Sequence, residues 1–147
     1  MQYIVNIAVA LAIGGLSSII TSEGQRTFGE LFLQSPLTPP GWVFPVVWTI
    51  LYVLMAVGYT LVRNRGKNCG GQLYRVQLLF NFIWPVLFFN FNFFLFSFVW
   101  LVALLILVIL MAKEFYGCMR LSGILQIPYI LWLLFAGYLN FVVFLLN

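Results

Sequence analysis

Three sets of residues in this chain can do chemistry, and each recurs at helical spacing. Trp48 and Tyr52 are four apart and share one helix face. Gln77, Asn81 and Trp84 fall on one face of a second segment. Trp132, Ala136 and Asn140 recur every four residues on a third. These side-chain types suit binding better than acid–base catalysis. Indole and phenol rings stack on flat π systems. Asn81 can donate to a ligand carbonyl, Trp48 and Trp132 each carry an indole N–H, and Ala136 leaves room for a ring. Faces of this kind, if they converge, form an apolar, aromatic pocket with a few polar groups, the usual make-up of a small-molecule site. The plainer alternative is that the same residues only pack helices and bond across them, each bond contributing about 0.6 kcal/mol.

The rest of the composition narrows the choice. The chain has 147 residues, of which 64% are hydrophobic and 7% charged, and its mean hydropathy is +1.09. A soluble domain of this size carries roughly 25% charged residues. There is too little polar surface here to cover a water-soluble globule, so a single-domain integral membrane protein is expected. The chain contains no His and no Asp. That excludes a Ser-His-Asp triad and ligation of a metal or haem iron by His; neither a metal site nor a cofactor is expected. Cys69 and Cys118 lack paired-ligand spacing. Nothing suggests a nucleic-acid partner.

The elements that must position these residues are membrane helices. A span needs about 20 apolar residues, and five segments qualify: Tyr3–Ile20, Trp42–Val62, Gln72–Phe89, Phe93–Met111 and Gly123–Leu146. The expected fold is an all-α membrane bundle of five helices with a long first loop. Met1–Tyr3 has no basic region and no clean cleavage site follows, so the first segment is expected to remain as a span. Its Ala10, Gly14 and Ser18 form a small-residue stripe that fits either a dimer face or internal packing. Residues 21–40 make a loop long enough to act as a lid, and Phe28, Leu31 and Phe32 suit a short helix lying back on the bundle. In PPGWVFPVVWTILY, residues 39–52, the prolines sit in and before a first helical turn, where they are tolerated. Gly41 is expected to let Trp42 approach closely. Pro85 predicts a kink in the third span, and Asn90 and Asn92 predict a tight turn after it. The fourth span, with Ser97 as its polar handle and Trp100 as a packing residue, reads as a lipid-facing wall.

Arg63, Arg65, Lys67 and Arg75 follow the second span, Lys113 and Arg120 the fourth, and only Arg26 lies in the first loop. By the positive-inside rule the even-numbered loops are cytoplasmic, with the N-terminus inside and the first loop outside. The basic cluster then also contacts anionic lipid. Both cysteines would be free thiols on the reducing side.

Three stretches carry a family resemblance: PPGWVFPVVWTILYVLMAVG at 39–58, QLLFNFIWPVLFF at 77–89 and PYILWLLFAGYLNF at 128–141. In order and spacing they resemble the TspO/MBR family, the translocator proteins or peripheral-type benzodiazepine receptors. The resemblance implies a five-helix bundle in a membrane, here a bacterial cell membrane, often homodimeric. It implies binding of porphyrins such as protoporphyrin IX, and of sterols and benzodiazepine-type ligands. The implied ligand contacts are Phe44, Trp48, Tyr52, Asn81, Trp84, Trp132, Phe135, Ala136 and Leu139. It implies three alternative roles: tetrapyrrole sensor or carrier, enzyme of light- and oxygen-dependent porphyrin breakdown with Trp48 and Trp132 as the reacting groups, or transporter. No basic residue follows Tyr138, so the cholesterol-recognition pattern of animal members is not met.

Overall fold

The computed structural model describes residues 1–147, and all its regular secondary structure is helical. In chain order the helices are α1 (Gln2–Ile20), α2 (Ser22–Leu31), α3 (Val43–Asn64), α4 (Gly71–Pro85), a π-helical turn (Val86–Asn90), α5 (Phe94–Cys118), α6 (Arg120–Ile124) and α7 (Ile127–Leu146). Four segments are long and apolar enough to cross a membrane: Gln2–Ile20, Val43–Asn64, Phe94–Cys118 and Arg120–Leu146. The sequence predicts a fifth at Gln72–Phe89, but that segment is not one continuous α-helix. Pro85 has no N–H to give, and the chain passes there from α4 into the π turn. With 15 residues, α4 rises about 22 Å, short of the hydrocarbon thickness. The chain leaves the π turn through Asn92, at φ 55.

Local sequence explains the helix ends. Pro45 stands within the first turn of α3, and Pro128 occupies the start of α7. Gly66 and Gly70, both at φ 71, end α3 and begin α4. Gly70 also lies on the Phe115 ring, with no room there for a Cβ.

In the bundle, α1 packs on α3 and α4, α5 lies between α4 and α7, and α6 touches α3. Apolar residues gain little from leaving lipid for one another, so close packing and interhelical hydrogen bonds must hold such a bundle. Gly14 supplies the first: a methyl at this position would overlap the Tyr52 ring. Ala10 is buried in the same core. Both therefore serve internal packing, whereas Ser18, the third residue of the stripe, is exposed. Asn6 donates to Thr60 Oγ1 at 2.8 Å, Ser17 to the Phe82 carbonyl at 3.0 Å, and Trp100 to the Phe80 carbonyl at 2.9 Å. The hydroxyl of Ser122 donates to the Gly58 carbonyl and ties α6 to α3.

Two clusters form the core. The larger runs through Leu51, Met55, Leu104, Met111, Phe115 and Tyr129. The smaller joins Phe28, Phe88 and Val143 beneath α2. Three expectations are corrected here. The helix containing the fourth span runs on to Cys118, and it is no mere outer wall: Ser97, Leu101, Leu104, Val108, Met111 and Phe115 form a buried stripe down its length. Trp42 is 69% exposed and nothing lies within 4 Å of a Cβ built on Gly41, so that glycine serves no close approach. Cys69 and Cys118 are not free: they form a disulfide. The α3–α4 turn and the end of α5 bring their Cα atoms to 6.4 Å, within bonding range.

Candidate ligand-binding cavity

Between the two core clusters lies a cavity of about 590 Å³, well within the range of small-molecule sites. Helices α1, α3, α4 and α7 and the π turn wall it, and α2 and the loop after it roof it. Of the nine expected contact residues, eight line it: Phe44, Trp48, Tyr52, Asn81, Trp84, Trp132, Ala136 and Leu139. Phe135 does not. Its ring lies one position round α7, packed on Trp132 and Tyr138 at 5.5 and 6.4 Å.

The backbones of α3 and α7 meet little along this wall; rings fill the seam. Trp48 and Trp132 stand perpendicular at 6.5 Å, and Phe44 meets Trp132 edge-on at 5.8 Å. Trp48 also touches Tyr52 at 6.0 Å and Tyr129 at 6.2 Å. Such pairs each contribute about 0.5–1.5 kcal/mol beyond buried area.

The polar groups divide into those already engaged and those free. Tyr129 lies behind the cavity, accepts from Asn81 Nδ2 at 2.6 Å and donates to Gln77 Oε1 at 2.8 Å. Asn81 is thus held by its neighbour rather than left free to turn toward a ligand, and Gln77 is part of its mount. Trp84 Nε1 donates to Asn140 Oδ1 at 3.1 Å, and Asn140 Nδ2 donates to the Phe94 carbonyl at 2.8 Å. Trp84 therefore presents only its ring. Trp132 differs: its Nε1 is buried and has no partner in the chain. An unpaired buried donor costs about 1–3 kcal/mol; the nitrogen is closed off in this arrangement, so an acceptor on a ligand would meet it only after the indole turns.

No Asp, Glu, Lys or Arg lines the cavity. The roof end is polar through Thr21, Gln25, Gln34 and Thr38. Sequence reasoning missed the contribution of α1, whose Leu11, Gly14, Ser17 and Ser18 face the cavity. The small-residue stripe was the signal, since helices that carry it can stand close to a neighbour or leave space beside it.

The short helical piece expected in the first loop is present as α2. Phe28 is buried at 8% against Phe88, at 5.0 Å, and Phe32 packs on Phe94 at the same distance, whereas Leu31 is exposed. Beyond α2 the strap is tied to α7. The Asn147 amide bonds the Leu33 N–H at 3.0 Å and its carbonyl at 2.9 Å, and Ser35 shares a hydrogen bond with Tyr138 at 3.1 Å.

A sequence model of the TspO/MBR family matches residues 6–146. The chain belongs to the TspO/MBR family. It is 32% identical to the tryptophan-rich protein TspO of Chlorobaculum tepidum, over 96% of this chain and 92% of that one. It is 33% identical to the protein of the same name from Archaeoglobus fulgidus, over 100% and 97%. It is also 33% identical to the human translocator protein, over 86% and 78%. This membership and the four long apolar helices make the chain an integral membrane protein.

Proposed function

We propose that this TspO/MBR-family protein binds a flat, hydrophobic tetrapyrrole of the protoporphyrin type inside the membrane, as a sensor or carrier. The observation that carries the reading is the cavity of about 590 Å³ walled by indole rings, with the buried N–H of Trp132 unpartnered. The macrocycle stacks on one of Trp48 and Trp132 and meets the other, perpendicular to it, edge-on. With no cation in the lining, its carboxylates point to the polar roof, where exposed Arg26 follows Gln25 on α2. Protoporphyrin IX titrated into the protein in nanodiscs should quench tryptophan fluorescence saturably. Asn81→Ala combined with Trp132→Phe should abolish saturation; unchanged quenching in that double variant refutes the site.

The accompanying arrangement is a homodimer of chains with five crossings each, α4 and the π turn together making the third. The N-terminus faces the cytoplasm and α2 the outside. Six of the seven Lys and Arg residues (Arg63, Arg65, Lys67, Arg75, Lys113 and Arg120) favour that orientation. A second reading, photooxidative breakdown of the bound macrocycle, is favoured by the shared wall of Trp48 and Trp132. Illumination with oxygen should then yield a new absorbing product more slowly in Trp48→Phe. Equal rates would remove Trp48 from that chemistry.

A further inference from the structure

The Cys69–Cys118 bond sits where a permanent disulfide is not expected. It joins the α3–α4 turn to the last residue of α5, at the end of the bundle that carries six of the seven basic side chains. A Lys/Arg excess marks a cytoplasmic face, and cytoplasmic thiols are kept reduced unless they take part in exchange. We propose that Cys69 and Cys118 are a reversible thiol–disulfide pair, a redox clasp at the cytoplasmic end of the bundle. This rests on the orientation given above and not on the identity of the ligand.

Geometry and position both suit exchange. The two Cα atoms are already 6.4 Å apart, so closing the bond needs no rearrangement of the helices. Both residues are half-buried, packed on the edge of the core, and Lys67, Asn68 and Gly117 beside them are exposed, so the bond lies at the end of the bundle rather than within it. Arg63, Lys67, Lys113 and Arg120 nearby in the chain attract such an anion, with Glu114 the opposing charge on α5. In the reductive direction a glutathione-type thiolate attacks one sulfur and the Cys69–Cys118 bond breaks. A mixed disulfide forms, and a second thiol resolves it. Two electrons and two protons pass to the protein, and the two small thiols leave as their own disulfide.

The bond closes a chain separation of 49 residues that contains all of α4, the π turn and nearly all of α5. Oxidised, it pins the start of α4 to the end of α5. Reduced, the turn keeps the Arg63–Asn68 hydrogen bond, at 3.4 Å, and the seat of Gly70 on Phe115. The oxidised form therefore holds residues 65–71 more tightly.

The test counts thiols on the full chain in intact cells, by acid quenching and alkylation with a maleimide–polyethylene glycol that retards the band. Two free thiols at rest, none after a pulse of diamide and two again on washout are expected. In Cys118→Ser, Cys69 should stay free through the pulse. A bond present at rest and opened by a membrane-impermeant phosphine would place this end outside the cytoplasm and overturn the proposal. Two free thiols throughout the diamide pulse would overturn it as well, by showing that the bond does not form. Neither result bears on tetrapyrrole binding, which the fluorescence titration decides separately. In nanodiscs, amide exchange over residues 65–71 should rise about tenfold or more on reduction. Equal exchange in both forms would overturn the claim that the bond holds the turn.

Discussion

Two tryptophans in the cavity wall differ in one respect that a matched substitution can expose. Trp84 donates its N–H to Asn140, and Trp132 donates to nothing. Replacing each by Phe should produce opposite profiles. In Trp84→Phe the Asn140 oxygen loses its donor, and membrane helix bonds of this kind average about 0.6 kcal/mol and reach about 1.7 kcal/mol. Thermal stability without ligand should fall by that amount, and affinity should change little. In Trp132→Phe no bond within the protein is lost and an unsatisfied donor disappears. Only the smaller ring and its contacts with Phe44 and Trp48 count against stability. Binding should suffer instead: a hydrogen bond to a carbonyl-bearing ligand contributes about 0.5–1.5 kcal/mol, plus part of the relieved desolvation. A loss of about 1–2 kcal/mol is a 5- to 30-fold rise in Kd. To separate the N–H from the lost ring area, each variant is titrated with a carbonyl ligand and with its methylene analogue. The expected discrimination between the two ligands collapses in Trp132→Phe and persists in Trp84→Phe. If both variants discriminate like the parent, the Trp132 N–H does not meet the ligand and the reasoning fails.

Other perturbations follow from the same contacts. Gly14→Ala should force Tyr52 off α1, destabilise the bundle by about 1–3 kcal/mol as other overpacked cores do, and weaken binding by displacing a wall residue; an unchanged melting temperature would refute the close contact. Asn147→Ala removes both hydrogen bonds to Leu33; at about 0.5 kcal/mol or more for each exposed bond, stopped-flow release of ligand should quicken about fivefold or more, and an unaltered off-rate would show that the strap does not gate the cavity. Because no Asp, Glu, Lys or Arg lines the cavity and the chain has no His, the affinity of an uncharged ligand should be flat between about pH 6 and 8. A titration step in that interval would contradict the lining. Cys69→Ser should lower stability by at most about 4 kcal/mol, the loop-closure entropy of the 49-residue separation, measured against the oxidised parent.

How far the sequence could be read depended on whether a property belonged to one helix or to several. Periodicity is local, so Trp48 with Tyr52, and Asn81 with Trp84, could be placed on common faces from spacing alone, and all four line the cavity. Pro85 likewise announced the break that became the π turn. Pairing between helices is not local. Nothing in the spacing said that Asn81 would be mounted by Tyr129, that Trp84 would be engaged by Asn140, or that Trp132 would be left free. Phe135 shows the limit from the other side: it adjoins Ala136 and stands three residues from Trp132, both of which line the cavity, yet its rotation about α7 turns it away. The pairing of the cysteines was missed for the same reason, since 49 residues separate two side chains that the α3–α4 turn brings together.

These cases share a physical cause. In a membrane bundle, lipid cannot satisfy a buried polar group, so most indole N–H and amide groups are bonded to another helix; the exceptions are Gln126 Oε1, away from the cavity, and Trp132 Nε1, on a lining side chain. The count of such groups is written in the sequence, but their division between structure and ligand is fixed only by helix rotation. Here Gln77, Asn81 and Tyr129 close one network, and Trp84, Asn140 and the Phe94 carbonyl close another. Both networks bond α4 to α7, one on each side of Ala136 along α7 and so to either side of the cavity wall that it forms. They stiffen the framework while leaving Trp132, between them on the same helix, without a partner. Trp132 thus carries the unpaired donor on a lining side chain, and a turn of its ring would offer that donor to a guest.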